Sequence, residues 1–267
     1  MQLKKYQIIF MLVFSCVAHA SVYAGSQQKI NFTMQELAPF AKQVEHYAAA
    51  KGAKVFFLAR LGTARSHLPD AIQFTHTGLA VYSDITSSDG QQLRGNTIYN
   101  LYQKPQDLSE STLVTDYPVD FFAGAVELKA GIIIPTKKMQ AKILKSLNSG
   151  VNIRLHNPKY SLISNPYSRS FQNCNEHILD IIFASIYSTE DTKQLKANQK
   201  EYFNAQLVQV SPFKRLLAPM LSSYIRMSDQ GEDIQLVTFT TISKFLDQYG
   251  LAKGYAVMDI NNVQEIN

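Results

Sequence analysis

Residues 167–180 read YSRSFQNCNEHILD. Asn173 is a good helix N-cap, because its side-chain oxygen can accept from a backbone N–H that the helix leaves unpaired. Glu176 stands three residues later, where a capping-box acid belongs. The strongly apolar run that follows, to about Tyr187, reads as a helix with Cys174 at its first helical position. A thiol there sits near the positive end of the helix dipole and near free backbone N–H groups. Both favour a thiolate, so a lowered thiol pKa is expected, with the backbone N–H of Cys174 helping to hold an oxyanion.

Such a nucleophile needs a proton acceptor. His76 lies mid-strand in FTHTGLA, residues 74–80. With a period of two it shares a face with Gly78 and Ala80, and two small neighbours are expected to let a helix end approach the imidazole. A histidine on a rigid strand opposite a cysteine at a helix start is the geometry of a Cys–His hydrolase. Each residue alone has a plainer reading: the cysteine as a small residue at a tight join, the histidine as a buried polar group. The pair together favours catalysis. His177, three residues after Cys174, is the alternative base, tied to the same helix. Cys174 and His177 would also make half a metal site, but no second half has suitable spacing, so no metal or cofactor is expected.

Outward from this pair, Thr33–Glu36 resembles a capping box opening a helix, which Pro39 complicates. Strands are expected at Ala53–Gly62, Gln73–Tyr82, Thr97–Gln103, Val126–Ile134 and Ile234–Thr240. Ser83–Asn96 reads as a hairpin loop and Asn157–Gln172 as a longer loop. Helices are expected after Pro135, with Met139, Ile143 and Leu147 on one face, and around Ile242, Phe245, Leu246 and Tyr249. Ser188–Asn204 reads as an exposed polar helix or linker. Strands and helices mixed without strict alternation argue an α+β fold with a mainly antiparallel sheet.

The N-terminus carries Lys4 and Lys5, an apolar run from Ile8 to Val17, and the small-residue ends Ala18-His19-Ala20 and Val22-Tyr23-Ala24. Residues 1–24 therefore read as a cleavable signal peptide, and the working chain as periplasmic or secreted. The rival, lipoprotein processing at Cys16, puts Phe14 where it fits poorly. Residues 25–267 read as one domain, with 188–233 either an excursion or a wall of the cleft, carrying Phe213, Leu216, Leu217, Met220, Leu221 and Tyr224. The net charge of +5 falls to +3 without the leader, and no dense Lys/Arg block points to nucleic acid. No later stretch is long and apolar enough to span a membrane. Oligomeric state is not legible.

LARLG (58–62), FTHTGLAVY (74–82), YNLYQ (99–103) and the opening stretch, in that order, resemble the bacterial domain of unknown function 2145 family. More distantly they resemble the circularly permuted NlpC-like branch of the papain-like cysteine hydrolases, which includes relatives of lecithin–retinol acyltransferase. The resemblance is best over Val55–Ile182. It implies a circularly permuted papain-like fold with the nucleophile helix packed against the sheet, Cys174 as nucleophile and His76 as base. It also implies an orienting group on the strand after the histidine, where Asn100 is the one amide or acid well inside; the plainer reading is an exposed asparagine near a hairpin edge. Arg60, in an otherwise apolar strand, either binds a substrate carboxylate or pairs with a structural acid. The function expected is an exported thiol hydrolase of amide or ester bonds, acting on cell-wall peptide or a lipid-linked amide. The alternatives are a thiol acyltransferase and a non-catalytic envelope binding module. Mass spectrometry of the exported chain is expected to find Gly25 as its first residue; a lipid on Cys16 would contradict this.

Overall fold

The computed structural model describes residues 31–86, 89–209 and 223–266, so the expected leader lies outside the described residues, as do Phe213, Leu216, Leu217, Met220 and Leu221. In chain order the first half holds α1 (Met34–Ala50), β1 (Val55–Arg60), β2 (His76–Thr86), β3 (Gln92–Lys104), β4 (Asp107–Asp116), α2 (Pro118–Ala123) and β5 (Lys129–Pro135). The second half holds α3 (Lys137–Asn148), α4 (Val151–Arg154), α5 (Cys174–Tyr187) and α6 (Thr192–Tyr202), then the short strands β6 (Gln206–Val208) and β7 (Ile234–Leu236). It closes with α7 (Phe239–Gln248), β8 (Ala252–Asp259) and β9 (Val263–Ile266). The fold class is α+β: a seven-stranded antiparallel sheet, ordered β4-β3-β2-β1-β5-β8-β9, with helices on both faces.

Side-chain alternation separates the two faces. β1 is central, and all six of its residues are buried, which is why VFFLAR reads as a continuous apolar run. Its odd-numbered Val55, Phe57 and Ala59 join Leu79, Val81 and Ile133 beneath the helices α3, α5 and α7. Its even-numbered Phe56 and Leu58 join Ala80, Ile98 and Ile132 beneath α1 and α2. Residues 174–185 of α5 are all buried, so the helix is enclosed nearly all round and its polar Asn175, Glu176, His177, Asp180 and Ser185 are buried with its apolar residues.

Several expectations need correction. Ser83–Asn96 is mostly ladder: Ser83 pairs with Gly95 and Thr86 with Gln92, in a ribbon whose side chains are largely exposed, so no buried apolar face reveals it. β4, at the sheet's edge, reads DLSESTLVTD, whose charges suit an edge and mask a strand. The expected strand Ile234–Thr240 stops at Leu236, and Thr238 caps α7 by accepting from Thr241 N at 3.1 Å. α1 begins at Met34 behind the Thr33–Glu36 capping box and runs through Pro39.

Ser188–Asn204 holds a helix, as one of its two readings expects, and most of that helix is exposed, but one face of it is not. Its helix α6 buries Leu195, Lys196 and Gln199 against α5. Lys196 Nζ lies 2.7 Å from Glu176 Oε1 and 2.8 Å from Asp180 Oδ1. Glu176 therefore does not complete a capping box; its carboxylate also accepts from Ser164. A lysine-rich stretch looks solvated in sequence, but two carboxylates one turn apart on a buried helix need a cation. Glu176 still sits well above the usual carboxylate range, because it is fully buried and shares its lysine with Asp180. Lys196→Met would strand both carboxylates. It is expected to lower unfolding free energy by about 3 kcal/mol in urea titration at neutral pH; a change below about 1 kcal/mol would show the cluster to be solvated.

Candidate active site

Asn173 caps α5 as its sequence predicts: its Oδ1 accepts from Glu176 N at 3.0 Å, and Cys174 is the first helical residue. The cap brings the thiol to the start of β2. Cys174 Sγ–H donates to Thr75 O at 3.9 Å, and the backbone N–H groups of Thr77, Asn175 and Cys174 itself point at the sulfur. Leu101 and Tyr160 pack around it. The expected lowering of the thiol pKa does not occur. Burial pushes Cys174 above its ordinary value, more than the three N–H groups and Arg60 pull it down. The helix terminus favours a thiolate, but Cys174 is only 6 % exposed and its desolvation outweighs that effect.

His76 Nε2 lies 3.0 Å from Asn100 Oδ1. The amide cannot be turned round without loss, because Asn100 Nδ2 donates to Ile98 O and to Asp116 Oδ2, both at 3.1 Å. Oδ1 thus faces His76, Nε2 carries the ring hydrogen, and Nδ1 keeps its lone pair. Asn100 is 2 % exposed, so the hairpin-edge reading is excluded. Tyr102, two residues on and therefore on the same face, stacks on the imidazole at 4.7 Å between ring centres and donates to Asp116 Oδ2 at 2.7 Å. Burial, with Arg60 close by, holds His76 down to about 3.

The small residues beside His76 serve a different purpose from the one expected. α5 packs over Leu79 and Val81 on the opposite face, not over Gly78 and Ala80. The space above Gly78 belongs to Asn100: a Cβ there would lie 2.5 Å from its Oδ1 and 2.6 Å from Ile98 Cγ2. The histidine and the cysteine come from opposite faces and meet at the end of the sheet, where both line a cleft of about 470 Å³. No hydrogen bond joins them among the described residues.

Arg60 lines the same cleft at the end of β1. Its Nη1 donates to Gly124 O, and its guanidinium lies 5.5 Å from the Phe121 ring centre. It is the one charged side chain lining the cleft among the described residues; the walls are otherwise neutral, with Tyr160 and Tyr224 beside Leu101. Tyr224 is the part of 188–233 seen on the wall, held where Leu162 N donates to its carbonyl at 2.9 Å. His177 does not line the cleft; it is buried beside His156 and held down to about 4 by that burial. Asp116 and Tyr102 were not singled out from sequence. The alternation Asn100–Tyr102 was a usable signal for the second; nothing in DLSESTLVTD pointed to the first.

The family described as "Uncharacterized protein conserved in bacteria (DUF2145)" matches residues 47–246. No curated protein and no solved structure matches the chain. Among the described residues, no helix is long and apolar enough to cross a membrane.

Both side chains are neutral at neutral pH, because Cys174 is held up and His76 down. Thiolate absorbance is therefore expected to rise with a half-point above about pH 9, with no plateau of alkylation rate between pH 5 and 7. A low-pH plateau would mean a standing thiolate–imidazolium pair.

Proposed function

From the premise that the chain belongs to the bacterial DUF2145 family, we propose that it is an exported thiol hydrolase of amide or ester bonds, with a circularly permuted papain-like arrangement. The observation that carries this reading is the His76–Asn100 bond, which engages Nε2 and leaves Nδ1 as the ring nitrogen that can serve as base, on a histidine that lines the same cleft as Cys174. Export rests on the leader pattern of residues 1–24, and substrates of the cell envelope follow from that location alone.

In the proposed reaction His76 Nδ1 takes the thiol proton as Cys174 Sγ attacks the substrate carbonyl carbon. The C–S bond forms and the carbonyl π pair moves to oxygen, near the N–H groups at the start of α5. Collapse re-forms the carbonyl and breaks the bond to nitrogen or oxygen, and the leaving group takes its proton from Nδ1. Water, deprotonated by the same nitrogen, then releases the acid and restores the thiol. Since neither group is charged at rest, substrate entry must trigger proton transfer. Arg60 is the proposed contact for a substrate carboxylate. The product distinguishes this from an acyltransferase, which passes the same acyl group to another acceptor.

A non-catalytic binding module is the second reading, favoured by the burial of Cys174 and its protonated thiol. The two separate on exposure of the chain to a panel of activated esters and N-acyl amides, followed by intact-mass measurement. An acyl adduct on Cys174 is expected, absent in Cys174→Ala and formed roughly 100-fold more slowly in His76→Ala. Asn100→Ala, which leaves the base present but unaimed, is expected to cost about tenfold. No adduct, or equal rates in wild type and His76→Ala, would favour the binding module.

A further inference from the structure

We infer that Asp116 is a positioning residue for this site: through Asn100 it aims His76 and supplies the negative charge against which His76 can accept a proton. The inference rests on the hydrolase reading for its consequence, though not for its geometry.

Burial and charge put the problem plainly. His76 is 8 % exposed and stands close to Arg60, so an imidazolium formed there meets both a low-dielectric surrounding and a like charge. The reaction nevertheless requires that imidazolium. Asp116 is the acid tied to the ring's own support. Its Oδ2 accepts from Asn100 Nδ2 at 3.1 Å and from Tyr102 Oη at 2.7 Å. Asn100 holds Nε2, and Tyr102 stacks on the ring face. A carboxylate accepting from one end of an amide polarises that amide and makes its oxygen a stronger acceptor at the other end. The chain Asp116–Asn100–His76 thus carries charge to the imidazole without a direct carboxylate contact. Tyr102 couples the same oxygen to the ring from above.

The groups around Asp116 are Tyr102 on β3, Asp120 on α2 and Arg60 on β1. Burial foremost, with Asp120 adding to it, raises Asp116 to about 6 against the opposing Tyr102 bond and Arg60. Below that pH the carboxyl is neutral and its support is withdrawn, while His76 remains neutral until about 3. The acid limb of reactivity therefore belongs to Asp116 and not to the histidine.

The test is proton NMR of the His76 Nε2–H resonance in the full chain, assigned by its loss in His76→Ala, together with the rate of Cys174 acylation by an activated ester. In wild type the resonance is expected to shift with a midpoint near pH 6 although the ring does not protonate, and the acylation rate is expected to fall over the same range. Asp116→Asn keeps size and an acceptor oxygen but removes the charge. It should abolish the inflection and lower the rate at pH 7.5 by roughly three- to tenfold, and Asp116→Glu should restore both in part. An unchanged inflection and rate in Asp116→Asn would overturn the inference. An inflection lost in Asp116→Asn while His76→Ala acylates at the wild-type rate would uphold the link to the ring and remove the hydrolase reading instead.

Discussion

The absence of a side chain at residue 78 is the constraint on which the site depends. Asn100 reaches His76 across neighbouring strands, and its oxygen occupies the volume a Cβ of residue 78 would fill. A methyl group there would displace the amide and Ile98, with Phe121 only 3.2 Å behind. The aim of His76, the tautomer it holds and the tie to Asp116 all follow from that one close approach. The same sheet positions put Leu79 and Val81 on the other face, where they seat α5. One strand thereby fixes His76 on one side and the helix that carries the thiol on the other.

This two-sided origin accounts for the electrostatics. A cysteine and a histidine brought together beneath one helix would share solvent and could stand as an ion pair. Here each is nearly enclosed in its own layer, and desolvation outweighs every group that favours charge. Arg60 lowers both pKa values, which favours the charged form of the thiol and disfavours the charged form of the imidazole. Cys174 and His76 are consequently a neutral pair; in the proposed reaction it is the substrate entering the cleft, rather than a standing thiolate, that starts proton transfer.

Much of this was legible in the sequence where local rules govern. Asn173 before an apolar run announces a capped helix, and the alternation around His76 announces a strand; both are short-range signals. What alternation cannot say is which layer covers which face, so the role of Gly78 was assigned to the wrong neighbour. The buried charges were illegible for the same reason. Lys196 lies in a polar stretch, and only the packing of α6 on α5 reveals that Glu176 and Asp180 await it. Asp116 ends an edge strand full of hydroxyls and acids, and its value comes entirely from partners on β3. The lowered thiol pKa failed because a helix terminus lowers a thiol only as far as burial permits.

We propose that Cys174 and His76, arriving from opposite faces, act as one unit once the cleft is filled. A crystal structure of the chain with a peptide aldehyde bound covalently to Cys174 tests it most directly. The expected structure is a thiohemiacetal with His76 Nδ1 within about 4 Å of the sulfur or its adduct oxygen, and Nε2 still on Asn100. An imidazole with Nδ1 beyond reach of the adduct would contradict it.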